Sequence, residues 1–317
     1  MLCNVVTFAQ LSGNSRKQLT LKEDSLKLHA YKIINGISAP ERLKADSLFT
    51  RAFVRALKVP HSFQYAFDSV QTISKLYAPD STFRIFTWQM VINENAIRQH
   101  GALQMKTADG SLKLFPLIDR SDITKNISDT IGNNFGWMGA VYYKVIAKTH
   151  KGQTFYTLLG YDENNIRSNK KIIEILHFKE GQPVFGERLF NTSENADLPK
   201  NMSRFVLEYK RATSPRLTFD EELDMIVMEH LISPTNEPNK KYTLIPDGDY
   251  EGFKWKDGQW NYVTKIFTLV TPENQPPTPS LILDAQGNID ETKVAGYEPP
   301  VKPPAVPVKK EKIKKKD

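Results

Sequence analysis

Cysteine is all but missing from these 317 residues, with Cys3 the only one. A single thiol excludes an intramolecular disulfide framework and a cysteine-rich zinc site. The six histidines (His29, His61, His100, His150, His177, His230) do not make up the want, because no two fall at the short spacings that set metal ligands on one face of a helix or strand. No apolar run approaches the roughly 18 residues that a membrane-spanning helix needs. A P-loop, a G-x-G-x-x-G fingerprint and a G-x-S-x-G elbow are also lacking, so no cofactor or nucleophile motif is present. Nor does positive charge mark the body. Of the formal net charge of +7, the stretch Pro300 to Asp317 supplies +5, from seven lysines against Glu311 and Asp317, leaving +2 for everything before it. That balance gives no specific nucleic-acid footprint on the folded part.

What is present is enough to bury a substantial core in one large or two smaller domains: 40% of residues are hydrophobic and 10% aromatic. The N-terminus, MLCNVVTFAQ, resembles the end of a secretory signal peptide, with small residues at Thr7 and Ala9. Residues 1–9 are therefore expected to be the remnant of a signal cleaved between Ala9 and Gln10, its charged region lost to a start codon assigned too late. Cys3 would leave with it. Leu2 matches poorly the small residue that precedes a lipidated cysteine.

From about residue 20 to residue 58 the periodicity is helical, and it predicts a helical hairpin. Thr20 and Glu23 suggest a capping box for the first helix and Gly36 its end, while Ser38, Pro40 and Glu41 open the second. In the second, Ala45, Leu48, Phe49, Ala52, Phe53, Ala56 and Leu57 form an apolar stripe, with Arg51, Arg55 and Lys58 elsewhere on the wheel. Packing on the adjacent domain is the ordinary reading of such a stripe, and membrane binding the sharper one.

From residue 60 to about residue 270 the period is two. Strands are expected at Phe83–Ile92, Ala102–Thr107, Ser111–Ile118, Ala140–Thr149, Thr154–Tyr161, Ile172–Lys179, Pro183–Phe190, Arg204–Lys210, Arg216–Phe219, Met225–Leu231 and Tyr242–Ile245. Pro246-Asp247-Gly248 should then turn the chain. Tight turns without helical spacers predict a mainly β, antiparallel meander (sandwich, open barrel or propeller-like), α+β overall with its helices. No repeat of fixed period supports a regular propeller.

The clearest local signal is FKWKDGQWNY, Phe253 to Tyr262. Asp257-Gly258 suits a two-residue type I′ turn, which pairs Lys256 with Gln259, Trp255 with Trp260, Lys254 with Asn261 and Phe253 with Tyr262. Phe253, Trp255, Trp260 and Tyr262 then share one face and four polar residues the other. The aromatic face invites a sugar-stacking platform, but a wet opposite face argues that the rings cover the core. Beyond residue 271 nine of the nineteen prolines crowd into a Pro/Lys-rich tail expected to be disordered. Its Lys309, Lys310, Lys312, Lys314, Lys315 and Lys316 could attract an anionic surface by charge alone.

Candidate site residues are few. Asp220, Glu222, Asp224 and Glu229 could supply the carboxylate pair of a hydrolase, though acids between short strands commonly make turns. Trp255 and Trp260, with Asn164 and Asn165 in a polar connection, are the ligand-binding candidates. Asp247, Asp249 and Glu251 imitate the first half of a calcium loop, but its twelfth position is Gly258, so no metal site is expected.

The segments FRIFTWQ (Phe83 to Gln89), GYDENN with SNKK (Gly160 to Asn165, Ser168 to Lys171) and YTLIPDGDYEGFKWKDGQW (Tyr242 to Trp260) resemble a family of uncharacterised exported proteins of Bacteroidota. The likeness runs from about residue 60 to residue 267. It implies a periplasmic or cell-envelope location and carries no catalytic residues. The reading is of a non-catalytic exported module, binding or structural, for a protein or glycan partner in the envelope. The alternatives are an envelope polysaccharide or peptide hydrolase, and a scaffold or assembly factor held by its basic tail.

Overall fold

Two helices open the described chain. Helix α1 spans Gly13–Asn35 and α2 spans Ala39–Leu57. The first begins seven residues before the expected position, because Ser12 is the N-cap and its hydroxyl accepts the N–H of Ser15 at 3.0 Å. Thr20 is an interior residue whose hydroxyl donates back to the Arg16 carbonyl. Glu23 is no capping glutamate either: it is buried and accepts the Tyr65 hydroxyl and the Ser69 N–H. The second start is as read, since Ser38 caps the N–H of Glu41 and Glu41 reaches back to the N–H of Ile37.

The computed structural model describes residues 10–195, 198–200 and 202–267. The presumed signal remnant at 1–9, and the tail from 271 with Lys309, Lys310, Lys312, Lys314, Lys315 and Lys316, lie outside the described residues. Among the described residues fifteen strands follow the helices: β1 (Ser74–Tyr77), β2 (Phe83–Asn93), β3 (Ala96–Met105), β4 (Lys113–Ile118), β5 (Gly132–Asn133), β6 (Val141–His150), β7 (Gln153–Asp162), β8 (Ser168–Lys179), β9 (Gln182–Phe185), β10 (Phe190–Asn191), β11 (Arg204–Lys210), β12 (Leu217–Asp220), β13 (Met225–Ile232), β14 (Ile245–Lys256) and β15 (Gln259–Val263). They make three sheets, ordered β1-β2-β3-β4, β5-β9-β8-β7-β6 with β11 also on β8, and β10-β15-β14-β13-β12. Pairing is antiparallel throughout the named strands except for the short β10 on β15.

The chain is mainly β, an α+β meander whose sheets stack instead of closing into a barrel. Alternation along each strand shares its side chains between two layers. On β2, Phe86, Trp88 and Met90 meet Leu26, Ile33, Phe49 and Phe53 of the helices. Phe83 and Ile85 point the other way, to Leu158, Ile172 and Leu176 of the middle sheet. Ile173 and Ile175 of β8 then meet Ile226, Phe253 and Trp260 of the third sheet. The order is helices, first sheet, middle sheet, third sheet, with an apolar core in each gap. The stripe on α2 therefore packs on the β body. A sheet covered on both faces explains the near-continuous apolar run IIEIL in β8.

The hairpin turns follow their residue types. Lys151-Gly152, Glu180-Gly181 and Asp257-Gly258 each take positive φ at both central positions, as a type I′ turn requires. The last gives the pairing expected of it, residue for residue, from Lys256 with Gln259 to Phe253 with Tyr262. Several boundaries differ: β3 begins at Ala96 instead of Ala102, and the strand expected over Pro183–Phe190 is divided into β9 and β10. Residues 241–243 form a 3₁₀ turn, and Pro246-Asp247-Gly248 lies inside β14 instead of turning between strands. Proline is tolerated there because it sits in the first positions of the strand, beside a bulge between Glu229 and Leu231 of β13.

The middle sheet carries one buried charge pair. Arg204 stands directly opposite Glu174 in register, their side chains 0% and 1% exposed. The guanidinium donates to Glu174 through Nε at 2.6 Å and through Nη2, and to the carbonyls of Ile127 and Thr130. The Tyr142 hydroxyl donates to the same carboxylate and accepts the Trp137 indole N–H at 2.7 Å. Burial, then the adjacent carboxylate, pushes the Tyr142 phenol well above its ordinary range, so it remains a donor. Gly186 lies against the pair with φ +91°, where a Cβ would come within 3.0 Å of the Thr130 carbonyl.

Removing one partner strands the other charge away from water. Arg204→Met is expected to cost about 3–5 kcal/mol in urea unfolding. The double variant Glu174→Leu/Arg204→Met should recover much of that loss. A double variant no more stable than the single one would contradict the coupling.

Candidate functional site

The acidic turn between β12 and β13 is built for docking two sheets. Asp220 accepts the N–H groups of Glu222 and Leu223, each at 3.0 Å, and Asp224 takes φ +48°, which closes the turn. Glu221 meets the Lys144 ammonium at 2.7 Å and Asp224 meets that of Lys148 at 2.5 Å, both lysines belonging to β6 of the middle sheet. Lys148 also stands over the rings of Phe219 and Trp260. Glu229 accepts the N–H of Arg216 at 2.6 Å across the same hairpin, and Glu222 is exposed. The partners of Asp220, Asp224 and Glu229 are thus backbone amides and a lysine.

Trp260 is 0% exposed and donates its indole N–H to the Thr157 hydroxyl at 2.9 Å. It cannot stack on a ligand. Trp255 is half-buried, edge-on to Trp260 at 5.3 Å. Phe253 and Tyr262 are buried with them, so the aromatic face covers the core and the platform reading falls. Asn164 adopts φ +53° and donates to the Ser168 hydroxyl at 2.8 Å, while Asn165 accepts the N–H groups of Arg167 and Ser168. These amides are spent on the turn. Asp247 accepts the N–H of Asp249 and pairs with His230 at 2.8 Å. Among the described residues no group of three or more His, Cys, Asp and Glu side chains could hold a metal ion.

Two polar clusters escaped the sequence. At the edge shared by the first and middle sheets, Gln99 donates its amide to Asp162 at 2.9 Å and its N–H to Asp119 at 3.2 Å, and Gln89 donates to Glu163 at 3.0 Å. Burial, with Asp119 adding to it, raises the Asp162 carboxyl above the usual carboxylate range. Under α2, Asp46 accepts the Trp88 indole N–H at 2.8 Å and faces His100 Nδ1 at 3.2 Å. Burial holds the His100 imidazole below its ordinary range, against the pull of Asp46, so this contact is the hydrogen bond of a neutral ring. Each cluster joins residues from separate strands or from a helix and a strand, a convergence that spacing along the chain does not reveal.

The concave surfaces are open. One groove of ≈ 290 Å³ beside β10 is lined by Arg188, Phe190, Asn191, Ser193, Lys200 and Gln259, predominantly polar. Its amides, hydroxyls and two cations suit a polar partner. A second, ≈ 430 Å³, runs along α1 between Leu28 and Tyr31 on one side and Ser69 and Gln71 on the other.

Trp260→Ala should cost about 3–5 kcal/mol in chemical denaturation, since it opens a cavity in the third core. Glu222→Gln, on an exposed carboxylate, should stay within about 0.5 kcal/mol. A His100 held neutral in the fold contributes stability above about pH 6.5 that is lost as pH falls through the folded value. Urea midpoints should therefore decline on acidification through the histidine range, with a shallower slope in His100→Gln. An unchanged slope would place the dependence on other groups. Comparison of the chain with family models, with curated proteins and with solved structures gives no match.

Proposed function

We propose that the protein is a non-catalytic module of the cell envelope, exported and engaging a protein or polar glycan partner. The observation that carries this reading is the fate of the carboxylates. Asp220 caps a turn, Asp224 ties β13 to Lys148, and Glu229 holds the backbone of Arg216. A hydrolase of the paired-carboxylate type needs two such groups facing a substrate across about 5–10 Å, one of them holding its proton. The polar groove beside β10, with Lys200 and Gln259 on its wall and Arg188 held by Asp129, offers a partner hydrogen-bond donors and acceptors. The apolar N-terminus and the resemblance to exported Bacteroidota proteins support the location.

The test uses the full chain against a panel of envelope polysaccharides and peptides, measuring binding and turnover together. Binding without turnover is expected. Lys200→Ala/Gln259→Ala should weaken it about tenfold or more, through two lost hydrogen bonds, one of them charged. Turnover that Asp220→Asn or Glu229→Gln abolishes would establish the hydrolase instead.

A further inference from the structure

The net charge of the described residues is confined to one end of the fold. Residues 13–58, the helical hairpin, hold ten Lys and Arg against four Asp and Glu, a balance of +6. Residues 59–267 hold twenty-five against twenty-five, a balance of zero. The fold sharpens the contrast, because two of the four helical acids point inward: Glu23 to Tyr65 and Ser69, Asp46 to Trp88 and His100. Glu41 lies 3.9 Å from Lys32. Asp24 is the remaining carboxylate of the hairpin. Against it, Lys17, Lys27, Lys44, Arg51, Arg55 and Lys58 are all exposed.

The same helices expose apolar side chains. Leu21, Leu28 and Tyr31 are 65%, 55% and 58% exposed, at i, i+7 and i+10 on α1, on the side opposite the buried Leu19, Leu26 and Ala30. Ile37, in the connection between the helices, is 97% exposed, and Leu43 follows it on α2. Lysines thus alternate with large apolar groups on a surface whose inner side is already satisfied by the first sheet. Lysine stems can lie along such groups while the ammonium reaches a headgroup, the pattern of an interfacial helix.

We propose that the outer face of the helical hairpin docks onto the anionic surface of a lipid bilayer. Charge complementarity selects this occupant. A second copy would bring two +6 faces together, and a nucleic acid would answer the lysines but not Leu21, Leu28 and Ile37. The described body, neutral in sum, lies on the other side of the first core, so the charge that draws the molecule to the leaflet sits on the hairpin. The Lys-rich tail adds charge of the same sign. Each cation near such a leaflet is worth about fivefold in partitioning. The inference rests on the helices alone, so its failure would leave the envelope-module reading standing, and a catalytic outcome there would leave this docking face intact.

The experiment is co-sedimentation of the full chain with vesicles of phosphatidylcholine containing about one-third phosphatidylglycerol, and with vesicles of phosphatidylcholine alone. Binding is expected only to the anionic vesicles and should be strongly reduced at about 1 M salt. Lys17→Gln/Lys27→Gln/Lys44→Gln should lose about a hundredfold in partitioning, and Leu21→Ser/Leu28→Ser about tenfold or more. These positions are exposed, and unchanged thermal melts would verify the fold. A chain with Lys309, Lys310, Lys312, Lys314, Lys315 and Lys316 all replaced by Gln should keep its dependence on Leu21 and Leu28. The proposal is overturned if both helix variants bind like the parent, if plain phosphatidylcholine binds equally, or if binding is confined to a DNA duplex and indifferent to Leu21→Ser/Leu28→Ser.

Discussion

Glu174 lies in a sheet that other layers cover on both faces, where water cannot answer its charge, and Arg204 is what makes that tolerable. Desolvating two ions costs several kcal/mol each, so the pair is a weak source of net stability and a strong source of specificity. It acts on register. Strand β8 is paired along one edge by two different strands, β11 on residues 168–174 and β9 on residues 176–179. Arg204 meets Glu174 at the junction, and its other donors hold the carbonyls of Ile127 and Thr130. A slip of β11 by one residue would turn the guanidinium to the opposite face, into the apolar core of Ile173, Phe205 and Phe253. One salt bridge thus fixes the split edge, the overlying loop and the sequence of layers at once.

Stacking three sheets beneath two helices has a consequence for where a partner can bind. Both broad faces of the first and middle sheets are used up by cores, so their side chains are committed to packing whatever their chemistry. The acids of the β12–β13 turn illustrate this: a cluster that reads as reactive along the chain is, in the fold, a pair of lysine contacts between neighbouring sheets. What remains for recognition is the outside of the helical layer, the strand edges and the groove beside β10.

The sequence was most informative where one residue pair dictates backbone geometry. Asp257-Gly258 set the turn type, the turn set the register, and alternation set which rings go inward, so Trp260 could be assigned to the core before its surroundings were known. Ser38 with Glu41 was equally direct. The start of α1 was less so, because Thr20 and Glu23 have the spacing of a capping box while Glu23 is occupied by Tyr65, far along the chain. Strand β1, four residues reading SKLY, has no period long enough to register. Glu174 and Arg204 look like ordinary solvent-facing charges of two strands, and only the overlay of a loop from residues 127–137 buries them. The surroundings of the candidate site residues were hidden for a related reason: local spacing describes which residues could converge, and long-range pairing decides which do.

Arg84 offers a contrast to the Glu174 pair. It is 1% exposed, and its guanidinium donates to the Gln104 amide oxygen, the Tyr77 hydroxyl and the carbonyls of Ser62 and Tyr65, at 2.6 to 2.9 Å. Rings of Phe63, Phe67, Tyr77 and Phe86 surround it at 4.7 to 5.5 Å. Burial lowers its pKa to about 10, still well above neutrality. No carboxylate takes part in these contacts. The groups that neutralise this cation are dipoles and quadrupoles, which neither gain a proton in acid nor attract a competing counterion. The segment from Ser62 to Tyr77, which leads the chain from the helices into the first sheet, is therefore fastened by a clasp indifferent to both acidity and ionic strength, the two variables that change most sharply close to a charged surface.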